Sequence, residues 1–180
     1  MIENLLLILV GGLLGGVLGY FFGIMRSRWQ TRYERRAEAV TSIGNKVRDL
    51  QQDFLKWSAP PAKRLDKDPS RFEQSWQIAG RLAALDDYYD THKPWLDFQT
   101  HRKFENLSNA LEEQYLLLAK VLWANNAEPD SPYDEDKAAE PVHEWARQDS
   151  PGGLPEFIRE WDEEVKTILG ARPWWARWTR

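Results

Sequence analysis

Asp86, Asp87, Asp90 and His92 form the one local cluster of carboxylates with an imidazole in this sequence. Such side chains can bind Mg²⁺ through their oxygens or transfer protons as general acids. They fall at the end of a predicted helix, where solvated acidic groups are common and a histidine is slightly favourable. We therefore expect a solvated helix end here. A magnesium or general-acid site is the alternative.

The other residue types that carry chemistry are absent or lack the spacing of a known site. The three histidines, His92, His101 and His143, form no metal-binding pair, and no glycine-rich motif for phosphate is present. The sequence has no cysteine, which excludes disulfides, thiolate metal sites and cysteine nucleophiles. We predict no catalytic residue, no cofactor and no metal, and hence a protein that is not an enzyme.

The charges are segregated along the chain. Residues 26–58 carry eight basic and four acidic side chains, whereas residues 125–169 carry four basic and thirteen acidic ones. The net charge of -4 is opposite in sign to that of most nucleic-acid binders, which are basic as a domain or along one face. No nucleic-acid partner is expected.

Residues 5–25 form an uncharged stretch, LLLILVGGLLGGVLGYFFGIM. As a helix at about 1.5 Å per residue, this stretch matches the roughly 30 Å hydrocarbon core of a bilayer. Glu3 before it and the bulky residues at its end are untypical of a cleaved signal peptide. We predict that residues 1–25 are a single-pass transmembrane anchor.

The flanks of this stretch predict its orientation. Arginines occupy positions 26, 28, 32, 35 and 36, while only the N-terminal amine is basic before the stretch. The excess of positive charge is typical of the cytoplasmic side. We predict an inner (plasma) membrane protein with its N-terminus outside and its C-terminal domain cytoplasmic. Arg26, Arg28, Trp29 and Arg32 are expected at the membrane interface.

Glycine recurs at every fourth residue of the stretch, at Gly11, Gly15, Gly19 and Gly23. In lipid, small residues let helix backbones approach closely, so this spacing predicts a face for self-association or for a partner helix. The alternative is that the glycines have no packing role and only reflect the composition of the stretch, because glycine is common in membrane spans.

After the anchor, apolar residues recur at alternating intervals of four and three from Trp29 to Trp57, with Arg36 as the one polar member. This period is typical of a coiled coil or a bundle helix. We predict one helix that continues from the membrane to about Ser58, before Pro60 and Pro61. Its expected coiled-coil seam consists of Val40, Ile43, Val47, Leu50 and Phe54.

Two more apolar stripes predict a helix from Ser70 to about His92 and another that contains Phe104 and ends near Asn125, so residues 26–126 are expected to form a coiled-coil bundle. Residues 127–153 are acidic and rich in proline, and we expect a connection without a core element. Apolar residues at intervals of four and three predict a last helix over residues 154–170. The predicted fold class is all-α, with the anchor continuous with an antiparallel helical bundle or coiled coil of three to four helices.

Tryptophan occurs ten times. Trp29, Trp57, Trp76 and Trp161 fall on the apolar stripes and are expected in the core. The last segment, residues 171–180, interleaves tryptophan with arginine, which is typical of a membrane interface; packing of this tail on the bundle is the alternative. Its predicted interface residues are Trp174, Trp175 and Trp178.

These features together predict a membrane-anchored helical interaction or scaffold protein. Its expected partners are the lipid bilayer and either a second copy of the chain or another protein, at the cytoplasmic face. Two alternatives stay open: an oligomerising effector that disturbs the membrane, and a helical ligand sensor or unrecognised enzyme that uses Asp86, Asp90 and His92.

Overall fold

The computed structural model describes residues 2–60, 69–128, 133–148 and 151–170, and for residues 2–14 it describes the helix but not the side chains. The described residues form five α-helices and no strand, which confirms the predicted all-α bundle, although three to four helices were predicted. The helices are α1 (Ile2–Trp57), α2 (Arg71–His92), α3 (Phe98–Ala127), α4 (Glu135–Arg147) and α5 (Leu154–Gly170), with a 3₁₀ turn at Lys93–Trp95 between α2 and α3.

Helix α1 runs without a break for 56 residues. Its C-terminal half packs against α2, α4 and α5, and the whole predicted seam from Val40 to Phe54 is buried there. The seam therefore faces the bundle of its own chain. Among the described residues, no helix has a segment that is both long enough and apolar enough to span a membrane.

Helix α2 begins with a capping box that sets its register. The Ser70 hydroxyl accepts the Glu73 N–H at 3.2 Å, and the Ser70 N–H donates to the Glu73 carboxylate at 3.0 Å. With this start, Arg71 and Ser75 are buried, while Trp76 is 60% exposed. The expectation that Trp76 lies in the core is wrong, because polar residues occupy the inward positions next to it.

Trp29 is also exposed, at 63%, so the expectation that it lies in the core is wrong as well. The other two tryptophans on the stripes, Trp57 and Trp161, are buried.

Helix α4 lies within the stretch that we expected to be a connection, so the expectation that residues 127–153 contain no core element is wrong. Asp134 caps the helix by accepting the N–H groups of Asp136 and Lys137. Ala139, Val142 and Ala146 are buried against the rest of the bundle. The apolar face consists of small residues, and a proline, Pro141, lies inside the helix. The sequence pattern therefore did not indicate a buried helix here.

Helix α5 lies against α1 over much of its length. The Trp161 indole N–H donates to the Val40 carbonyl at 2.8 Å, and the Tyr33 hydroxyl donates to the Leu169 carbonyl at 3.2 Å. The C-terminal end of α5 and the turn between α2 and α3 therefore lie beside residues 29–36 of α1, at the end of the bundle where α1 projects toward its N-terminus.

Candidate functional site

An open groove of about 580 Å³ lies at this end of the bundle, and we call it the Trp29–Trp95 groove. Three elements form it: one face of α1, the turn between α2 and α3, and the end of α5. The lining residues are Trp29, Arg32, Tyr33, Arg36, Pro94, Trp95, Leu96, Asp97 and Ile168.

Local sequence explains how these side chains are presented. The four α1 residues follow one another at intervals of three, one and three, which places them on one face of the helix. In the opposite wall, Pro94 lies in the first turn of the 3₁₀ segment, and the Leu96 N–H closes that turn on the Lys93 carbonyl at 3.1 Å. Asp97 then caps α3 by accepting the Thr100 N–H at 2.8 Å.

The inner end of the groove is a polar network in which every carboxylate has partners. Glu164 is only 8% exposed, and Arg36, Lys103 and Thr100 donate to its carboxylate at 3.1, 3.0 and 3.0 Å. Arg36 also pairs with Asp97. This network joins α1, α3 and α5, so its charges hold the helices together and are already neutralised.

The pKa of Asp97 reflects these contacts. Partial burial alone would raise the pKa of this carboxyl, but the hydrogen bonds from Thr100 and the charge and hydrogen bond of Arg36 outweigh burial and lower it. Asp97 is therefore ionised at neutral pH, and its charge is matched by Arg36.

The rim of the groove differs from its inner end. The guanidinium groups of Arg28 and Arg32 are exposed and have no ion-pair or hydrogen-bond partner among the described residues. Trp29 and Trp95 are exposed beside them. A second open cavity of about 510 Å³ shares Arg28, Trp29, Arg32 and Trp95 with this rim. The rim is thus positively charged and aromatic, and no acid of the described part of the chain pairs with its two arginines.

The groove brings together some of the residues predicted for a membrane interface. Trp29 and Arg32 line it, Arg28 lies on its rim, and Arg26 is exposed one turn earlier on α1. The predicted interface residues of the tail, Trp174, Trp175 and Trp178, lie outside the described residues. Trp95 and Phe98 were not among the predicted site residues, and their position on either side of a helix-capping Asp97 is the signal that could have found them.

The glycines of α1 do not contribute to the groove. Among the predicted helix-packing residues, Gly15, Gly19 and Gly23 have no side chain of the bundle within 4 Å of the space that a methyl group would occupy. Gly11 falls in the part of α1 whose side chains lie outside the described residues.

The cluster of Asp86, Asp90 and His92 is not brought together. Asp86 accepts the hydroxyl of Ser108 at 2.9 Å, Asp90 is exposed, and the His92 Nδ1 lies 2.8 Å from the Tyr88 carbonyl. Among the described residues, no group of three histidine or acidic side chains could hold a metal ion.

Ser58 and His143 form a contact that the sequence did not predict, with 3.2 Å between the Ser58 Oγ and the His143 Nδ1. The Ser58 hydroxyl donates its single proton to the Phe54 carbonyl at 2.6 Å. The Ser58 hydroxyl thus bonds to the backbone of its own helix end, and the direction of its hydrogen bond with His143 depends on the tautomer of the imidazole.

Comparisons of this chain with protein-family models, curated proteins and solved structures find no match. The function is therefore inferred from the residues of this chain. The Trp29–Trp95 groove offers aromatic rings and two arginines that have no partner among the described residues, which suits the binding of an anionic, partly apolar ligand.

Proposed function

We propose that this protein is a single-pass membrane protein whose helical domain is a non-enzymatic interaction or scaffold module at the cytoplasmic face of the inner (plasma) membrane. One observation carries the proposal. Six large apolar side chains of α1 before the bundle are 47–69% exposed, and they are Val17, Leu18, Tyr20, Phe21, Phe22 and Met25. Burying apolar surface is worth about 25 cal/mol per Å², so a continuous exposed stretch of this kind marks a surface that another apolar phase covers.

The sequence supports a bilayer as that phase. The exposed side chains belong to the C-terminal half of the uncharged stretch of residues 5–25, and five arginines follow it within eleven residues. A partner helix could cover one side of α1, but the bulky residues here are spread over more than half of its circumference. A lipid environment surrounds a helix on all sides.

The interaction role is supported by an exposed aromatic pair on the bundle. The rings of Trp76 on α2 and Trp123 on α3 stack with 6.0 Å between their centroids, and both side chains are exposed. Leu117 on α3 is exposed as well. Exposed tryptophan is frequent among residues that dominate binding energy in protein interfaces. We infer that this outer face of α2 and α3 contacts a second copy or a protein partner.

The orientation can be tested by cysteine labelling, because the chain has no native cysteine. A cysteine in place of Lys137, whose side chain is 84% exposed, should react with an impermeant maleimide only after cells are lysed. A cysteine in place of Glu3, before the uncharged stretch, should react in intact cells.

The same two variants test the anchor itself. Both should stay with the membrane after extraction with alkaline carbonate. Release into the soluble fraction would refute the anchor, and labelling of position 137 in intact cells would reverse the orientation.

A further inference from the structure

The level of the Trp29–Trp95 groove relative to the proposed span is fixed by the continuity of α1. Residues 25 to 32 belong to one unbroken helix. At about 1.5 Å per residue, Trp29 lies about 6 Å and Arg32 about 10 Å beyond Met25. The headgroup region on each side of a bilayer is about 5–8 Å thick. Trp29 therefore lies within the headgroup layer, and the long side chain of Arg32, which tilts toward the N-terminus of the helix, lies at the outer edge of that layer.

We propose that the Trp29–Trp95 groove binds the headgroup of an anionic phospholipid, with the lipid phosphate between Arg28 and Arg32. The proposal deepens the membrane-anchored function and rests on it. It names a ligand class for the groove, whereas the anchor requires only a hydrocarbon layer.

The charges around the groove favour a phosphate at this place. Arg28 and Arg32 lie one turn apart and have no ion-pair or hydrogen-bond partner among the described residues, whereas Arg35 pairs with Glu38 at 3.7 Å. The nearest acids are occupied: Glu34 accepts from Gln30 at 2.9 Å, and Asp97 pairs with Arg36. The planar guanidinium fork matches the oxygens of a phosphate better than an ammonium group does.

The aromatic walls favour a lipid over a free phosphate. Trp29 and Trp95 stand on opposite sides of the groove and are both exposed. Indole rings tolerate the boundary between polar headgroups and acyl chains. A soluble anion would use the arginines but would leave these rings in water.

Native mass spectrometry of the full chain in detergent tests the proposal. Dioleoyl phosphatidylglycerol should be retained in preference to phosphatidylcholine with the same acyl chains. Replacing Arg28→Gln together with Arg32→Gln should weaken retention of phosphatidylglycerol by roughly 30-fold, which corresponds to about 1 kcal/mol for each basic group. Trp95→Ala should weaken retention of both lipids, because it removes one apolar wall.

A charge-matched control is the double variant Lys120→Gln with Lys137→Gln, whose side chains are exposed elsewhere on the bundle. Lys120 lies 23 residues after Asp97, which is about 34 Å along α3. This variant should retain phosphatidylglycerol like the parent. Equal loss in both double variants would assign the effect to net charge and overturn the proposal.

Two further outcomes would also overturn it. Displacement of the lipid by millimolar inorganic phosphate would assign the site to a soluble anion, and equal retention of the two lipids by the parent would remove the headgroup preference. Carbonate extraction of the parent tests the anchor separately. If the chain is released by carbonate but still prefers phosphatidylglycerol, the anchor fails and the headgroup site stands.

Discussion

The acidic groups within reach decide whether an arginine of this protein holds the fold or is free to bind a ligand. Arg71 is almost fully buried, pairs with Asp136 at 2.7 Å and donates to the Ala59 carbonyl at 2.9 Å, so it ties the start of α2 to α1 and α4. Arg36 is tied in the same way to Glu164. Arg28 and Arg32 have no such partners among the described residues. The sequence alone cannot distinguish these four arginines, because the partners of Arg36 and Arg71 are distant in the chain.

Two aspartates should affect the pH dependence of stability in opposite directions. Burial raises the pKa of Asp53 above its ordinary value, and the charges of Arg81 and Lys56 offset this only in part. The folded state then binds a proton more readily than the unfolded state, so this group destabilises the fold as pH rises through its titration. The pKa of Asp97 is lowered, so Asp97 contributes stability above its unfolded pKa of about 3.9 that is lost as pH falls through the folded value.

As pH rises from 3 to 7, Asp53→Asn should therefore gain stability relative to the parent, while Asp97→Asn should lose stability relative to the parent. Asparagine is also a good helix cap, so the second variant changes the charge of the cap of α3 and keeps its hydrogen-bonding ability. Thermal unfolding of the detergent-solubilised chain at several pH values measures both differences. Slopes of the same sign for the two variants would contradict the assigned pKa directions.

At the scale of helices, the packing of α5 on α1 depends on the absence of a side chain at Gly44. A methyl group there would lie 3.0 Å from the Trp161 Cδ1 and 3.3 Å from the Nε1. Trp161 is buried and held by its hydrogen bond to the Val40 carbonyl, so it has little room to move. Gly44→Ala should destabilise the bundle by about 1–3 kcal/mol, although alanine favours a helix.

Gly80 on α2 is the matched control, because nothing lies within 4 Å of the position of a methyl group there. Gly80→Ala should stabilise the protein by about 0.5–1 kcal/mol through helix propensity alone. Urea unfolding of both variants gives the comparison. Stabilisation in both would mean that α5 can shift away from position 44 at little cost.

Strong periodic patterns and cap signals made much of this fold predictable. The apolar period of α1 predicted the residues that pack in its own bundle, and Ser70 predicted the start of α2. Two features could not be read in this way. The inward positions of α2 include Arg71, whose two terminal guanidinium nitrogens bond to Asp136 and to the Ala59 carbonyl, and Ser75, whose hydroxyl donates to the Phe72 carbonyl. The face of α4 consists of small residues, so its burial depends on close fit and not on a strong apolar signal.

At the scale of the molecule, the candidate site could be predicted only in part. Arginines and a tryptophan after an uncharged stretch predicted an interface on α1. The second wall with Trp95 comes from a turn more than 60 residues later, and only the tertiary fold brings it beside α1. Residues 171–180 lie outside the described residues, so the interface role of Trp174, Trp175 and Trp178 stays a prediction.

Helix α1 before the bundle has two unlike sides. At about 100° per residue, the described glycines fall within an arc of roughly 100°, and the large apolar side chains occupy the remainder. These glycines are Gly15, Gly16, Gly19 and Gly23, and all four face open space. A flat face of this kind lets two helices approach closely in lipid, so we expect copies of the chain to associate through it.

Gly15→Ile with Gly19→Ile should lower the association of the full chain in a membrane dimerisation assay to the level of a monomeric control, because branched side chains would hold the helices apart. Leu18→Ile places the same side chain outside the glycine arc, where neighbouring helices would not meet, and should leave association unchanged. The comparison tests whether the glycines form a packing face or only reflect the composition of the span. If both variants associate like the parent, the copies meet elsewhere. The exposed Trp76–Trp123 pair is then the next surface to substitute.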